Sequence, residues 1–132
     1  MPFSIQLNSS SGVPFYRQII NQIIVGIAHG ILAPGTRLPT VRQLAVDLAI
    51  NLNTVARAYK ELEIRGIVST QQGSGTFING IPDELAPDER EAQLRQSCEH
   101  FLTELAARGI TLEEGILALK KFGELYTPRS WQ

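Results

Sequence analysis

The chain is poor in the residues that most catalytic and redox chemistry needs. It has one cysteine, Cys98, and two histidines, His29 and His100, in 132 residues. A single thiol cannot form an internal disulfide, so a reducing compartment is the simpler expectation. His29 falls near the end of a predicted helix, where a histidine can complement the helix dipole. His100 follows Cys98 and Glu99 on a second predicted helix. Residues two apart on a helix point to different faces, so Cys98 and His100 make a poor metal pair. No run of about 18 apolar residues exists, which leaves no candidate for a membrane span. The N-terminus lacks the basic and long apolar regions of a signal peptide. Internal repeats and low-complexity tracts are absent as well. These absences lead to the expectation of a cytoplasmic protein, not an enzyme, with no cofactor, no metal and no membrane partner.

Charge of one sign is also scarce. The formal net charge is −1, so the whole-chain balance gives no sign of nucleic acid. The two halves differ, however. Residues 1–80 carry six basic side chains against three acidic ones, a net +3. Residues 81–132 carry six basic side chains against ten acidic ones, a net −4. That asymmetry suits a DNA module joined to a segment that avoids DNA, although an excess of this size also arises by chance. Apolar residues make up 43%, ordinary for a globular chain, and the length suits one domain or one domain with a small appendage.

The first half reads as ordered elements. Phe3, Ile5 and Leu7 alternate with polar residues and predict a short strand. Pro14 sits where a helix can begin. Phe15, Ile19, Ile23 and Ile27, widened by Ile20 and Ile24, give that helix a broad apolar face, and Gly30 ends it. Thr40 with Gln43 forms a capping box that opens a second helix, whose apolar face is Val41, Leu44, Ala45 and Leu48. Asn51 is a predicted N-cap for a third helix that buries Val55, Ala58, Tyr59 and Leu62. Ile67 to Thr70 and Thr76 to Ile78 are strand-like and flank Gly73-Ser74-Gly75. Glycines there supply positive φ and let a backbone approach a partner closely, although Gly-x-Gly also suits a plain hairpin turn.

A helix, a turn, a second helix and a glycine-tipped hairpin, in that order, suit a winged helix-turn-helix. The exposed face of the third helix then carries chemistry. Asn53, Arg57 and Lys60 stand at i, i+4 and i+7 and share one face. Asn can pair with adenine, Arg with guanine or phosphate, and Lys with phosphate. Thr54 can donate to a phosphate, and Arg42 opens the helix that crosses the backbone in such motifs. Lys60 is the weakest of the set because Glu61 and Glu63 lie beside it. Arg65 reads as a charge complementing the helix C-terminus.

Gly80 to Pro87 reads as a hinge. Beyond it, Leu94, Cys98, Phe101, Leu102 and Leu105 follow a helical period, and Gly109 ends that helix. Thr111 and Glu114 form a second capping box. They open a last helix with Ile116, Leu117, Leu119, Phe122 and Leu125 as its apolar residues. Two short helices cannot close a large core alone. A second copy of the chain is the simplest cover, and the alternative is that they fold back on the DNA module. Cys98, on the apolar stripe, reads as a small buried hydrophobe. The expected fold class is therefore mainly α with a small β-hairpin, α+β. A winged helix-turn-helix spans residues 1–80 and a two-helix dimerisation region spans residues 81–132. Its dimerising residues would be Leu94, Cys98, Phe101, Leu102, Leu105, Ile116, Leu119 and Phe122.

Gly30-Ile31-Leu32-Ala33-Pro34-Gly35-Thr36-Arg37-Leu38-Pro39-Thr40-Val41-Arg42-Gln43-Leu44-Ala45 resembles the signature of the GntR family of bacterial transcription regulators. Gly73-Ser74-Gly75-Thr76-Phe77 resembles its wing. Asn51-x-Asn53-Thr54-Val55-x-Arg57-Ala58-Tyr59 and the short helical tail are similar to the YtrA subfamily. The resemblance implies a homodimeric regulator of a double-stranded DNA operator, usually a repressor, with transporter genes as frequent neighbours. It implies DNA contacts from Arg42, Asn53, Thr54, Arg57 and the wing from Gly73 through Ser74 to Gly75. Two residues depart from the pattern: Leu52 stands where proline is usual, and Ala49 where glycine is common. The 50-odd residues after Gly80 are too few to enclose a drug-sized pocket in one chain. An unidentified small-molecule effector at a dimer interface stays open, and so does a winged helix used for protein contact alone.

Overall fold

The structure, a computed structural model, describes residues 3–81 and 86–126; the side chains of residues 124–126 lie outside that description. Five helices and one hairpin follow in order. They are α1 (Phe15–Ala28), α2 (Val41–Leu48), α3 (Leu52–Ile64), β1 (Val68–Gln71), β2 (Gly75–Ile78), α4 (Pro87–Ala107) and α5 (Leu112–Tyr126). The chain divides into two compact units, α1 to β2 and α4 with α5.

The first unit is built on the isoleucine stripe of α1. Ile19, Ile20 and Ile23 are fully buried and meet Val55, Ala58 and Leu62 of α3 in one core. Leu44 and Ala45 of α2 and Ile67, Val68 and Ile78 of the hairpin complete it. The predicted caps are in place. The Thr40 hydroxyl accepts the Gln43 N–H at 3.0 Å, and the Gln43 amide oxygen accepts the Thr40 N–H at 3.0 Å. Asn51 accepts the Asn53 N–H at 2.7 Å. Burial pushes the Tyr59 phenol above its ordinary pKa, so it stays a neutral donor. It donates to the Pro39 carbonyl at 2.7 Å and ties α3 to the start of α2.

The strand predicted at Phe3 to Leu7 does not form. The residues still pack on the core, as their alternation requires. Their backbone pairs with glutamine side chains of α1 rather than with another strand. Gln22 exchanges two hydrogen bonds with Gln6, at 3.0 and 2.8 Å. Gln18, buried, exchanges two with Asn8, at 2.8 and 2.9 Å, and also donates to Val13. Two residues of extended chain rise about 6.6 Å, and four residues of helix rise about 6 Å. Glutamines one turn apart therefore match backbone groups two residues apart. Phe3 lies against α1 because Gly26 has no side chain: a Cβ there would come within 2.8 Å of the Phe3 ring.

The hairpin pairs Val68 with Ile78 through to Gln71 with Gly75, antiparallel. A short segment before α2 joins its other edge. Leu38 N–H donates to Thr76 O at 2.8 Å, and Ile78 N–H to Thr36 O at 2.8 Å. This fixes the wing beside the helix-turn-helix. Ala49 closes α2 in the left-handed conformation, φ 55°, the one non-glycine to do so among the described residues. Left-handed backbone costs a side chain about 1–2 kcal/mol, part of which glycine gives back in unfolded-state entropy. Ala49→Gly is expected to stabilise the fold by about 0.5–1 kcal/mol, read from denaturant midpoints.

In the second unit, α4 opens with Pro87 in its first turn, followed by Asp88 and Glu89, which suit the helix N-terminus. The hinge expected between Gly80 and Pro87 falls largely outside the described residues. Gly109, φ 69°, turns the chain into α5. Thr111 accepts the Glu114 N–H at 3.1 Å, but its hydroxyl then donates to the Glu114 carboxylate, so the second half of the expected box is replaced. Gly115 is buried where α5 meets α4: a Cβ there would lie 2.5 Å from Leu105 and 3.4 Å from the Phe101 ring. Phe101 and Leu105, one turn apart, thus face α5.

Candidate nucleic-acid interface

Three parts of the first unit place polar side chains outward. The first is the face of α3 opposite its core residues. Asn53, Arg57 and Lys60 are exposed there, with Thr54 half-buried in the first turn. The second is the start of α2, where Arg42 is exposed. The third is the wing tip, where Gly73, φ 82°, and Gly75, φ 125°, hold a backbone that side chains rarely adopt. Ser74 is exposed between them, and its N–H closes the turn on Gln71 O at 3.0 Å.

The glutamates beside Lys60 have partners of their own. Glu61 lies 3.7 Å from Arg17 and 4.0 Å from Arg65. Glu63 accepts a hydrogen bond from the Thr70 hydroxyl at 3.3 Å. Lys60 lines an open groove of about 500 Å³ between α3 and the hairpin, with Glu63 on the same wall. The Arg65 pairing adds to the helix-end role read from the sequence.

Two participants were missed from the sequence. Arg37, exposed, lays its guanidinium over the wing: a Cβ on Gly75 would meet Arg37 Nε at 2.7 Å. Arg37 and Arg42 also line one open hollow of about 730 Å³ with Thr40 and Gln43. Two cations on one concave surface suit a phosphate backbone, with Asp47 the one acid in the lining. Tyr16 of α1 is the second: the Arg57 guanidinium sits 3.8 Å from its ring centroid. Both contacts join distant parts of the sequence, so no local pattern announces them.

The residues proposed for dimerisation divide into two groups. Phe101 and Leu105 are half-buried against α5. Leu94, Leu102, Ile116, Leu119 and Phe122 are exposed, and so are Leu112 and Leu117. Cys98 departs from its expected burial: it is an exposed free thiol in the single chain. α4 packs on α5 through Phe101 and Leu105, and Cys98, one turn earlier on the same stripe, stays exposed. No helix among the described residues is long and apolar enough to cross a membrane.

The profile of the bacterial regulatory proteins of the gntR family matches residues 15–78, the span from α1 to the end of the wing. The transcriptional repressor YtrA of Bacillus subtilis is 36% identical over 110 residues, covering 83% of this chain and 85% of the relative. A crystal structure of a transcriptional antiterminator from Listeria monocytogenes superposes with a TM-score of 0.76 at 29% identity, over 92% of this chain and 90% of the other. YtrA from Sulfolobus acidocaldarius, a GntR-family transcription factor, matches with a TM-score of 0.58 at 32% identity, over 72% of this chain and 97% of its own. The two YtrA relatives are a transcriptional repressor and a transcription factor, and their likeness extends well beyond the wing. The chain belongs to the GntR family of bacterial transcriptional regulators, in its YtrA subfamily.

Proposed function

We propose that the chain is a cytoplasmic repressor that binds a pseudo-palindromic operator as a homodimer and controls transporter genes. Residues 1–80 form the DNA-binding domain and residues 81–132 the dimerisation region. The observation that carries the DNA reading is the shared exposed face of Asn53, Arg57 and Lys60 on the second helix of the motif. Arg42 and Arg37 flank it as phosphate contacts, and Thr54 supports it at the helix start. The wing, Gly73 to Gly75, lies along the backbone or minor groove.

Homodimerisation is supported by the apolar surface of α4 and α5, where large side chains stand exposed. Repression is supported by the likeness to YtrA of Bacillus subtilis, a transcriptional repressor. Two subunits would read half-sites about 34 Å apart or a multiple of that.

Selection from a random pool of double-stranded DNA, followed by sequencing of the retained fraction, tests this. An enriched inverted repeat is expected, and its genomic position names the regulated genes. Enrichment of a single half-site would remove the dimeric reading. A folded protein that retains no DNA at low salt would leave the motif as a protein-contact surface.

A further inference from the structure

Arg57, the central cation of the exposed α3 face, is held by an aromatic ring. Its guanidinium carbon lies 3.8 Å from the centroid of Tyr16, in the first turn of α1. The contact spans 41 residues of sequence and joins the beginning of the first helix to the middle of the third. A second guanidinium, that of Arg17, is 5.3 Å from the same ring. Arg17 is drawn toward Glu61, 3.7 Å from its Nη1, which leaves the ring face to Arg57. Among the described residues Arg57 has no hydrogen bond or ion pair.

The chemistry of the contact matters for recognition. A guanidinium stacks through its face, whereas its N–H donors lie in its plane and point outward from its edges. The ring therefore holds Arg57 without using the donors that a base or phosphate would take. An arginine on a bare helix must give up its rotamer freedom when it docks. One already stacked has lost much of that freedom before DNA arrives.

We propose that Tyr16 is a positioning residue for DNA specificity: its ring pre-orients Arg57 toward one base. This rests on the reading that Arg57 faces the groove. The hydroxyl of Tyr16 is not required, because the contact uses the ring.

The test compares Tyr16→Phe, Tyr16→Leu and Arg57→Ala in the full-length protein, with Tyr16→Gln as a second ring-free replacement. Affinities are measured on the selected operator and on its single-base variants at fixed salt, with thermal melting as the check on folding. Tyr16→Leu is expected to weaken operator binding about 2- to 13-fold, the effect of restoring the rotamer freedom that Arg57 must then lose on docking. The loss should fall on the same base position that Arg57→Ala affects, and the double variant should bind no worse than Arg57→Ala alone. Tyr16→Phe should stay within about twofold of the parent, since the ring remains.

Equal losses for Phe and Leu, spread over all sequences, would make Tyr16 a phosphate contact through its hydroxyl and overturn the proposal. Base preference kept in both ring-free variants but lost in Arg57→Ala would overturn it while leaving Arg57 in the groove. Base preference unchanged in Arg57→Ala would remove the groove reading, and the proposal with it.

Discussion

Leu119→Asp is expected to turn the proposed dimer into a monomer and to lower operator affinity by about 100-fold or more. Leu119 is 57% exposed on α5 in the single chain, beside other large apolar side chains such as Phe122 and Ile116. None of the 21 residues of α4 is buried within one copy. Helices with this much uncovered apolar surface need a partner to gain from the hydrophobic effect. In a twofold interface each substitution enters twice, so two carboxylates would lose water with no cation to meet them. A monomer presents one recognition helix, and the second half-site no longer adds to the first. Sedimentation reads the oligomeric state, and an operator titration reads the affinity. A Leu119→Asp protein that remains dimeric at micromolar concentration would move the interface elsewhere. Phe101 is less suitable for this test. Its ring packs over Gly115, so a charge there would disturb the α4–α5 hairpin before any interface.

The first domain was legible because its signals are local. Thr40 and Gln43 are three residues apart, and the cap they form is set by that spacing alone. Ile19, Ile20 and Ile23 of α1 and Val55, Ala58, Tyr59 and Leu62 of α3 show their buried faces by period, and those side chains are buried. Ala49 stands where glycine is common, and its φ of 55° gives the reason.

What escaped depends on residues far apart. Alternation at Phe3 to Leu7 records that one side is apolar but not what pairs with the backbone, and here two glutamines of α1 do. Gly26 and Gly115 each admit a neighbour's side chain, which no local pattern marks. No local pattern marks Arg37, and its place over Gly75 follows only from the edge pairing of the hairpin. Cys98 is exposed in the single chain for a related reason. A helical stripe shows which residues are apolar, and a single chain with one partner helix covers only part of such a stripe.

Arg57→Ala carries the other large effect. It is expected to cost about 1–3 kcal/mol of operator binding, roughly 5- to 150-fold, if the guanidinium holds a base through two donors. Arg57 is exposed and stacked on Tyr16, so removing it creates no cavity in the core. Thermal stability should change little beyond the loss of that stacking, and reduced binding can be read as lost recognition. The contrast with Arg42 separates reading from anchoring. Arg42→Ala should weaken binding nearly equally on all sequences and lower the slope of log affinity against log salt by about 1. Arg57→Ala should instead flatten the preference at one base position in each half-site, with much of the salt slope retained. If Arg57→Ala lowers affinity uniformly and takes the salt slope down with it, Arg57 is a phosphate contact. Base reading would then pass to Asn53, which lies one turn earlier on the same exposed face.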